Sequence, residues 1–294
     1  VIRQAGSAAQ GHAQLLEEYL LSIRDARALV LKTMSGVTMA EISGKSEQRL
    51  SDLVRSGQQF LMPPVPNLYF TRDVFASVGC GVSLNHMHSA TRNREVIYAD
   101  YILHHHPDFK GRLPFYYTPD QCFSIEGGDI LVLGPSTIGI GISERTNAAG
   151  IDALAETLLC GRPASGVDRI LAFSIPRKRS CMHLDTVFTQ LDVDAFLVHP
   201  GILGTLKVFE LTRRTAPHST VVRSLEGMPL ESVLADAIGA DSVRIYECGG
   251  GDPLAAAREQ WNDGANTLAV SPGKVIVYQR NSVTNDLLYK NGFD

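Results

Sequence analysis

The chain has 294 residues, 44% of them hydrophobic, and a formal net charge of −4. This is enough apolar material for a large core. No Lys/Arg run marks a nucleic-acid or membrane surface, and no apolar stretch nears the roughly 20 residues that span a bilayer. The five cysteines, Cys80, Cys122, Cys160, Cys181 and Cys248, are odd in number and include no C-x-x-C, which predicts that most are small buried side chains and that there is no disulfide framework. Nothing resembles a signal peptide, so the expected compartment is the cytoplasm.

The first predicted element is a helix over 12–35, with Leu15, Leu16, Tyr19, Leu20, Ile23, Ala26 and Val30 at helical spacing and Gly36 as its cap. A second helix is expected over 46–55, so residues 1–62 read as all helical. The stretch MPPVP (62–66) is a stiff extended connector. After it the pattern changes. VFASV, a Gly79-Cys80-Gly81 turn and VSL predict a hairpin, followed by a helix over 92–104 and a strand PFYYT. ILVLG and TIGIGIS form a second hairpin. Asn147 caps a helix running to Cys160, and RILAFSI is the next strand. TVFTQLD, AFLVHP, a longer connection, a helix over 229–238 and SVRIYEC make a third pass. A fourth begins with NTLAV, a Ser-Pro-Gly-Lys turn and VIVYQ, and Asn281 caps its helix.

Each pass is strand, strand, helix, strand, which predicts a repeat architecture of units packed radially. Asp73, Asp129 and Asp185 precede the first strands of the first three units at equal intervals. Asp is a common turn residue, but three of them in equivalent places would converge on the axis. Like charges in a confined site repel, so a cationic ligand is the natural occupant.

The stretch CMHLDTVFTQLD (181–192) sharpens this. On an extended strand His183 and Asp185 share a face, as in an acid–base pair, and Cys181 offers a nearby thiol. Other dense polar motifs are PNLYFTRD (66–73), EGGD (126–129), SERTN (143–147) and REQWNDGANTLAVSPGKVIVYQRN (258–281).

Together these motifs resemble those of arginine deiminase, in the guanidino-group-modifying superfamily, in the family's order and over almost the whole chain. The resemblance implies an α/β fold, a five-bladed α/β propeller of repeated ββαβ units with an inserted helical domain. In those terms 1–62 is part of the helical domain and 63–294 holds four propeller units, the last incomplete. It also implies hydrolysis of L-arginine to L-citrulline and ammonia. Asp73 and Asp185 grip the guanidinium bidentately, Glu126 assists by hydrogen bonding, and His183 is the acid–base residue. Arg92 and Arg145 take the substrate carboxylate, and Asn67 and Phe70 line the pocket. Asp129 supports the site from behind or touches substrate. A small-molecule substrate is expected, with no metal, organic cofactor, nucleic acid or membrane partner, and homo-oligomerisation is left open.

In the family the attacking Cys lies in a Gly- and Arg-rich loop near the C-terminus. No such loop occurs here, so the chain reads as a fragment lacking both ends and, with them, the nucleophile. Cys181 falls outside the family motif. Cys248, before Gly249-Gly250-Gly251, reads better as a buried side chain beside a turn, and the glycines lack the Lys-Ser/Thr of a phosphate loop. His86, His88 and His104–His106 read as structural or surface residues, without further ligands for a metal. The alternatives are a dimethylarginine hydrolase, an agmatine deiminase, or an inactive arginine-binding protein. Arg92 and Arg145 favour a substrate with a carboxylate.

Overall fold

The computed structural model describes residues 1–42, 59–161, 164–214 and 219–294. The chain forms two compact units. One comprises Val1–Thr71 with Met87–Lys110, and the other Arg72–His86 with Gly111–Asp294.

In the first unit the helix expected over 12–35 is broken in two, Ala13–Ser22 and Ala26–Ser35, after a short turn of helix at Ser7–Gly11. The break comes from Asp25. Its backbone is extended and its carboxylate accepts the Ala28 amide at 2.7 Å, an N-cap that starts a new helix. The apolar spacing runs across the break because both pieces face one core: Leu16 and Leu20 are buried in it and Leu29 packs against it. Gly36 does end the second helix. At φ +82° it holds a left-handed conformation, and a Cβ there would lie 2.5 Å from the Met62 carbonyl. The unit is not all helical. Strand β1 (Val37–Thr38) pairs antiparallel with β2 (Phe60–Met62). The helix expected over 46–55 lies outside the described residues. The helix Asn93–His105 belongs to this unit, where buried Arg94 donates from its guanidinium to the carbonyls of Pro63 and Thr33.

The second unit contains the repeat. Strands β3 (Phe75–Val78) and β4 (Gly81–Leu84) form an antiparallel hairpin, and β5 (Phe115–Tyr117) adds parallel to β4. Strands β6 (Ile130–Val132) and β7 (Thr137–Ile142) form the next hairpin. After the helix Ala148–Cys160, β8 (Arg169–Ser174) adds parallel to β7. Strands β9 (Phe188–Asp192) and β10 (Ala195–Val198) form the third. The longer connection then proves to be structured: β11 (Lys207–Arg214) and β12 (Ser219–Ser224) form a hairpin that docks antiparallel on β8, giving a five-stranded sheet. The helix Leu230–Ile238 follows, and β13 (Arg244–Glu247) adds parallel to β10. Strands β14 (Leu268–Ser271) and β15 (Lys274–Ile276) pair antiparallel before the helix Ser282–Lys290. An antiparallel hairpin joined by a parallel strand thus recurs three times. Among the described residues no sheet closes on itself.

Apolar clusters hold this unit. Ile138, Ile140 and Ile170 of the second hairpin sheet pack on Leu154 and Leu158 of the helix behind it. Phe188 packs between Phe173 and Phe196 at ring distances of 5.5 and 5.4 Å. The glycine triplet connects β13 to a helix at Pro253–Gln260. Gly249, Gly250 and Gly251 all hold positive φ, and a Cβ on Gly249 would lie 2.3 Å from the Ala256 amide nitrogen. The glycines are a backbone necessity for that turn. No described helix is long and apolar enough to cross a membrane, and all five cysteines are free.

Candidate active site

Each of the three equally spaced aspartates sits on a short helical turn that feeds the first strand of its unit: Thr71–Val74, Gly127–Asp129 and Leu184–Thr186. This corrects the extended reading of the 181–192 stretch. His183 precedes a 3₁₀ turn, Asp185 is inside it, and the strand begins only at Phe188. A helical turn carries the side chains inward where the strand's alternation would send every second one away.

These turns bring Asp73, Glu126, Asp129, His183 and Asp185 together, all buried. His183 Nε2 lies 2.8 Å from Glu126 Oε2, and His183 Nδ1 lies 3.9 Å from Asp73 Oδ1. The two glycines of EGGD make this approach feasible. A Cβ on Gly128 would stand 2.7 Å from His183 Nδ1 and 3.1 Å from Asp73 Oδ1, and one on Gly127 would stand 2.0 Å from the Arg72 carbonyl. Asp185 faces a guanidinium of the chain itself, with Arg72 Nε 3.4 Å from its Oδ2.

Asp129 is held differently. Its Oδ1 accepts the Leu184 amide at 2.7 Å, while Oδ2 accepts the hydroxyls of Ser143 at 2.7 Å and Thr146 at 2.6 Å. Thr146 Oγ1 also receives the Glu126 amide at 3.1 Å. Asp129 therefore ties the EGGD and SERTN motifs to the turn between His183 and Asp185. In the same loop the Arg145 amide donates to Ser143 Oγ, and Arg145 Nε lies 3.4 Å from Glu144 Oε1.

Burial and charge act in opposite directions on these groups. Burial opposes the imidazolium of His183, yet the Glu126 hydrogen bond and the charges of Asp129, Asp185 and Asp73 together outweigh it and raise His183 to about 9. Burial raises Asp129 to about 7 against the pull of His183, and it raises Asp185 to about 6 against His183 and Arg72. At neutral pH the imidazole therefore rests protonated.

Asn67, Phe70 and Arg92 lie in the first unit. Arg92 is buried, and its Nε donates to Glu95 Oε2 at 3.0 Å. The Asn67 amide donates to Glu95 Oε1 at 3.2 Å, so one buried carboxylate holds both. Phe70 is exposed and stacks on Tyr69 with ring centroids 4.0 Å apart. His104 and His105 occupy the last turn of their helix, as expected, and His104 pairs with Asp100 at 2.9 Å.

Cys181 and Cys248 are buried in apolar clusters, and burial raises the pKa of both thiols. That is the opposite of what an attacking thiolate needs. Among the described residues Asp73, Glu126 and His183 each bring a ligand-type atom within 4.8 Å of the others.

Residue-by-residue reading of the sequence missed Arg72, Ser143, Thr146 and Gln260. All four stand inside the quoted motifs, FTRD, SERTN and the stretch 258–281. Gln260 donates from Nε2 to the carbonyls of Ser180 and Thr186, partners that lie far away in sequence.

The chain resembles known proteins in sequence and in fold. The arginine deiminase sequence profile matches residues 3–294. Arginine deiminase from Treponema denticola is 47% identical over 291 residues, covering 99% of this chain and 70% of that protein. The enzyme from Clostridium perfringens is 46% identical over 292 residues, with the same coverage. Among solved structures, unliganded AgrE superposes with a TM-score of 0.53 at 19% identity, covering 79% of this chain and 27% of that one. DDAH from Pseudomonas aeruginosa, complexed with citrulline, gives 0.50 at 17% identity, covering 79% and 70%. At such identities the structures speak for a shared mixed α/β fold, and the sequence matches decide the family: the chain belongs to the arginine deiminase family.

Proposed function

We propose that this chain carries the guanidinium-binding and acid–base residues of an enzyme that hydrolyses L-arginine to L-citrulline and ammonia. The observation that carries the reading is the 2.8 Å contact between His183 and Glu126, buried among Asp73, Asp129 and Asp185. A protonated imidazole set in a ring of carboxylates suits a planar cation that must lose a neutral amine. Asp73 and Asp185 grip the guanidinium N–H groups. The Arg72 guanidinium beside Asp185 supports that role, since it is the same chemical group as the substrate's.

The chemistry balances as follows. A thiolate attacks the guanidinium carbon and forms a C–S bond. The C–N bond to one amino group then breaks, the departing nitrogen takes the proton held by His183, and ammonia leaves. His183, now neutral, accepts a proton from water as the oxygen bonds to the same carbon. The C–S bond breaks, the hydroxyl proton passes to solvent as the carbonyl forms, and citrulline and the thiolate are released. Glu126 holds His183 in register and stabilises its charged form. The family resemblance assigns Arg92 and Arg145 to the substrate carboxylate, and Asn67 and Phe70 to the pocket lining. We assign the attacking thiol to none of the five cysteines described, and the roles given to the other residues require no cofactor.

The three hairpin-plus-parallel-strand sheets are read as successive blades of a five-bladed α/β propeller, supplied from within 63–294 by Arg72–His86 and Gly111–Asp294, with 1–62, which shares its compact unit with Met87–Lys110, part of an inserted helical domain. The cytoplasm is the proposed compartment, which suits five free cysteines. The test is citrulline or ureido product release from arginine, methylated arginine and agmatine by the protein as its gene encodes it. Arginine is expected to turn over best, and preferential turnover of agmatine would overturn the substrate assignment. Calorimetry should show arginine binding abolished by Asp185→Ala, and unchanged binding would remove the clamp.

A further inference from the structure

We propose that Gln260 is a positioning residue for this reaction, holding from outside the turn that presents His183 and Asp185; the inference rests on the acid–base and clamp roles proposed above. Gln260 ends the helix Pro253–Gln260 and is 5% exposed. Its Nε2 donates to the Ser180 carbonyl at 2.5 Å and to the Thr186 carbonyl at 3.0 Å, across sequence separations of 80 and 74 residues. Those carbonyls flank the site, since Ser180 lies just before His183 and Thr186 directly follows Asp185. An amide has two N–H donors, and here one serves each carbonyl. The orientation follows from the partners, because the flipped amide would set an oxygen against two carbonyl oxygens.

The segment has little of its own to hold this shape. Its internal bonds are short-range, such as Thr186 Oγ1 to the His183 carbonyl at 2.6 Å and the Val187 amide to the Leu184 carbonyl at 3.0 Å. Two distant side chains grip its backbone. Asp129 takes the Leu184 amide, and Gln260 takes the carbonyls on either side. An apolar residue would fill the same buried space, and only a double donor satisfies both carbonyls. Misplacing a catalytic group by about 1 Å costs on the order of 100-fold in rate, so loss of this grip should be felt in the chemistry.

The experiment compares Gln260→Met, which keeps the volume and removes both donors, with Gln260→Glu, which keeps the shape and turns an oxygen on the carbonyls. Both are made in the protein as its gene encodes it, with His183→Gln as the control and melting curves to establish the folded fraction. The expected result is a kcat per folded molecule lower by about 10- to 100-fold in both variants, with a rise in KM for arginine beside it, because the same turn presents Asp185. Parent-like kcat in the folded variants, with His183→Gln inactive, overturns the Gln260 proposal and leaves the acid–base reading standing. An active His183→Gln overturns that reading first. If both variants lose the fold, Gln260 is a structural residue and the positioning role is rejected.

Discussion

Glu126 is fully buried, and its carboxylate meets His183 at 2.8 Å. It is therefore placed to set the protonation of the proposed acid. With His183 near 9, the imidazolium dominates at neutral pH, and activity limited by that proton falls as pH rises through 9. Glu126→Gln removes one of the charges that hold the imidazolium. The alkaline limb of the kcat/KM profile should then move toward the ordinary histidine value of about 6.5, with activity at neutral pH falling by about 10- to 100-fold. A limb that stays in place would mean that another group sets it. Gly128→Ala tests the geometry alone. Its Cβ would intrude on His183 and Asp73, so activity should drop at least about 100-fold while the melting temperature changes little. The residues that cluster here were legible because each stands inside a short motif. What each one touches was not. Ser143 and Thr146 reach Asp129 only after β7 folds back on β6, and Arg72 meets Asp185 only when two units of the repeat are packed.

At the scale of elements, hairpins, capped helices and parallel strands followed from apolar runs and turn residues, and their order matched the repeat. The failures have physical causes. Two helices sharing one core face keep the apolar period across a break, so the Asp25 cap was hidden inside a continuous pattern. Strands β1 and β2 are too short to show alternation, and their partners are separated in sequence. The helix Pro253–Gln260 was overlooked beside the glycine triplet, although Asp252 accepts the Leu254 amide and Pro253 fills the first turn. Asn281 heads its helix as expected, but its side chain donates to the Asn262 carbonyl instead of capping. The cap comes from Glu259, fully buried, which accepts the amides of Val283 and Thr284 at 2.9 and 3.0 Å and the Thr284 hydroxyl at 2.6 Å. Glu259→Ala strands those donors in the core. Urea denaturation should show a loss of about 2–4 kcal/mol, against about 1 kcal/mol for Asn147→Ala, where an exposed end-cap is removed. Equal losses would mean that the buried carboxylate is no more than an ordinary cap.

For the whole molecule, the site is a source of strain that depends on pH. Four carboxylates, Asp73, Glu126, Asp129 and Asp185, surround one imidazole, with Arg72 at the edge. His183 has a folded pKa near 9 and an unfolded value near 6.5. Its contribution to stability is therefore fully present below 6.5 and is lost as pH rises through 9, at no more than about 1.4 kcal/mol per pH unit. Asp129 and Asp185, raised by burial to about 7 and about 6, act in the same direction at lower pH. The native state holds their protons after the unfolded chain has released them, so stability falls as pH climbs from about 4 toward 7. Bound arginine should oppose the loss, since it supplies the positive charge that the imidazole gives up and stabilises by mass action. Melting temperatures from pH 5 to 9 should therefore fall without ligand and fall less with it. In His183→Gln the decline between 7 and 9 should flatten while the decline below 7 persists. A melting temperature that rises between pH 7 and 9 in the parent protein would show that the carboxylates do not hold the imidazolium, and the acid role of His183 would lose its electrostatic basis.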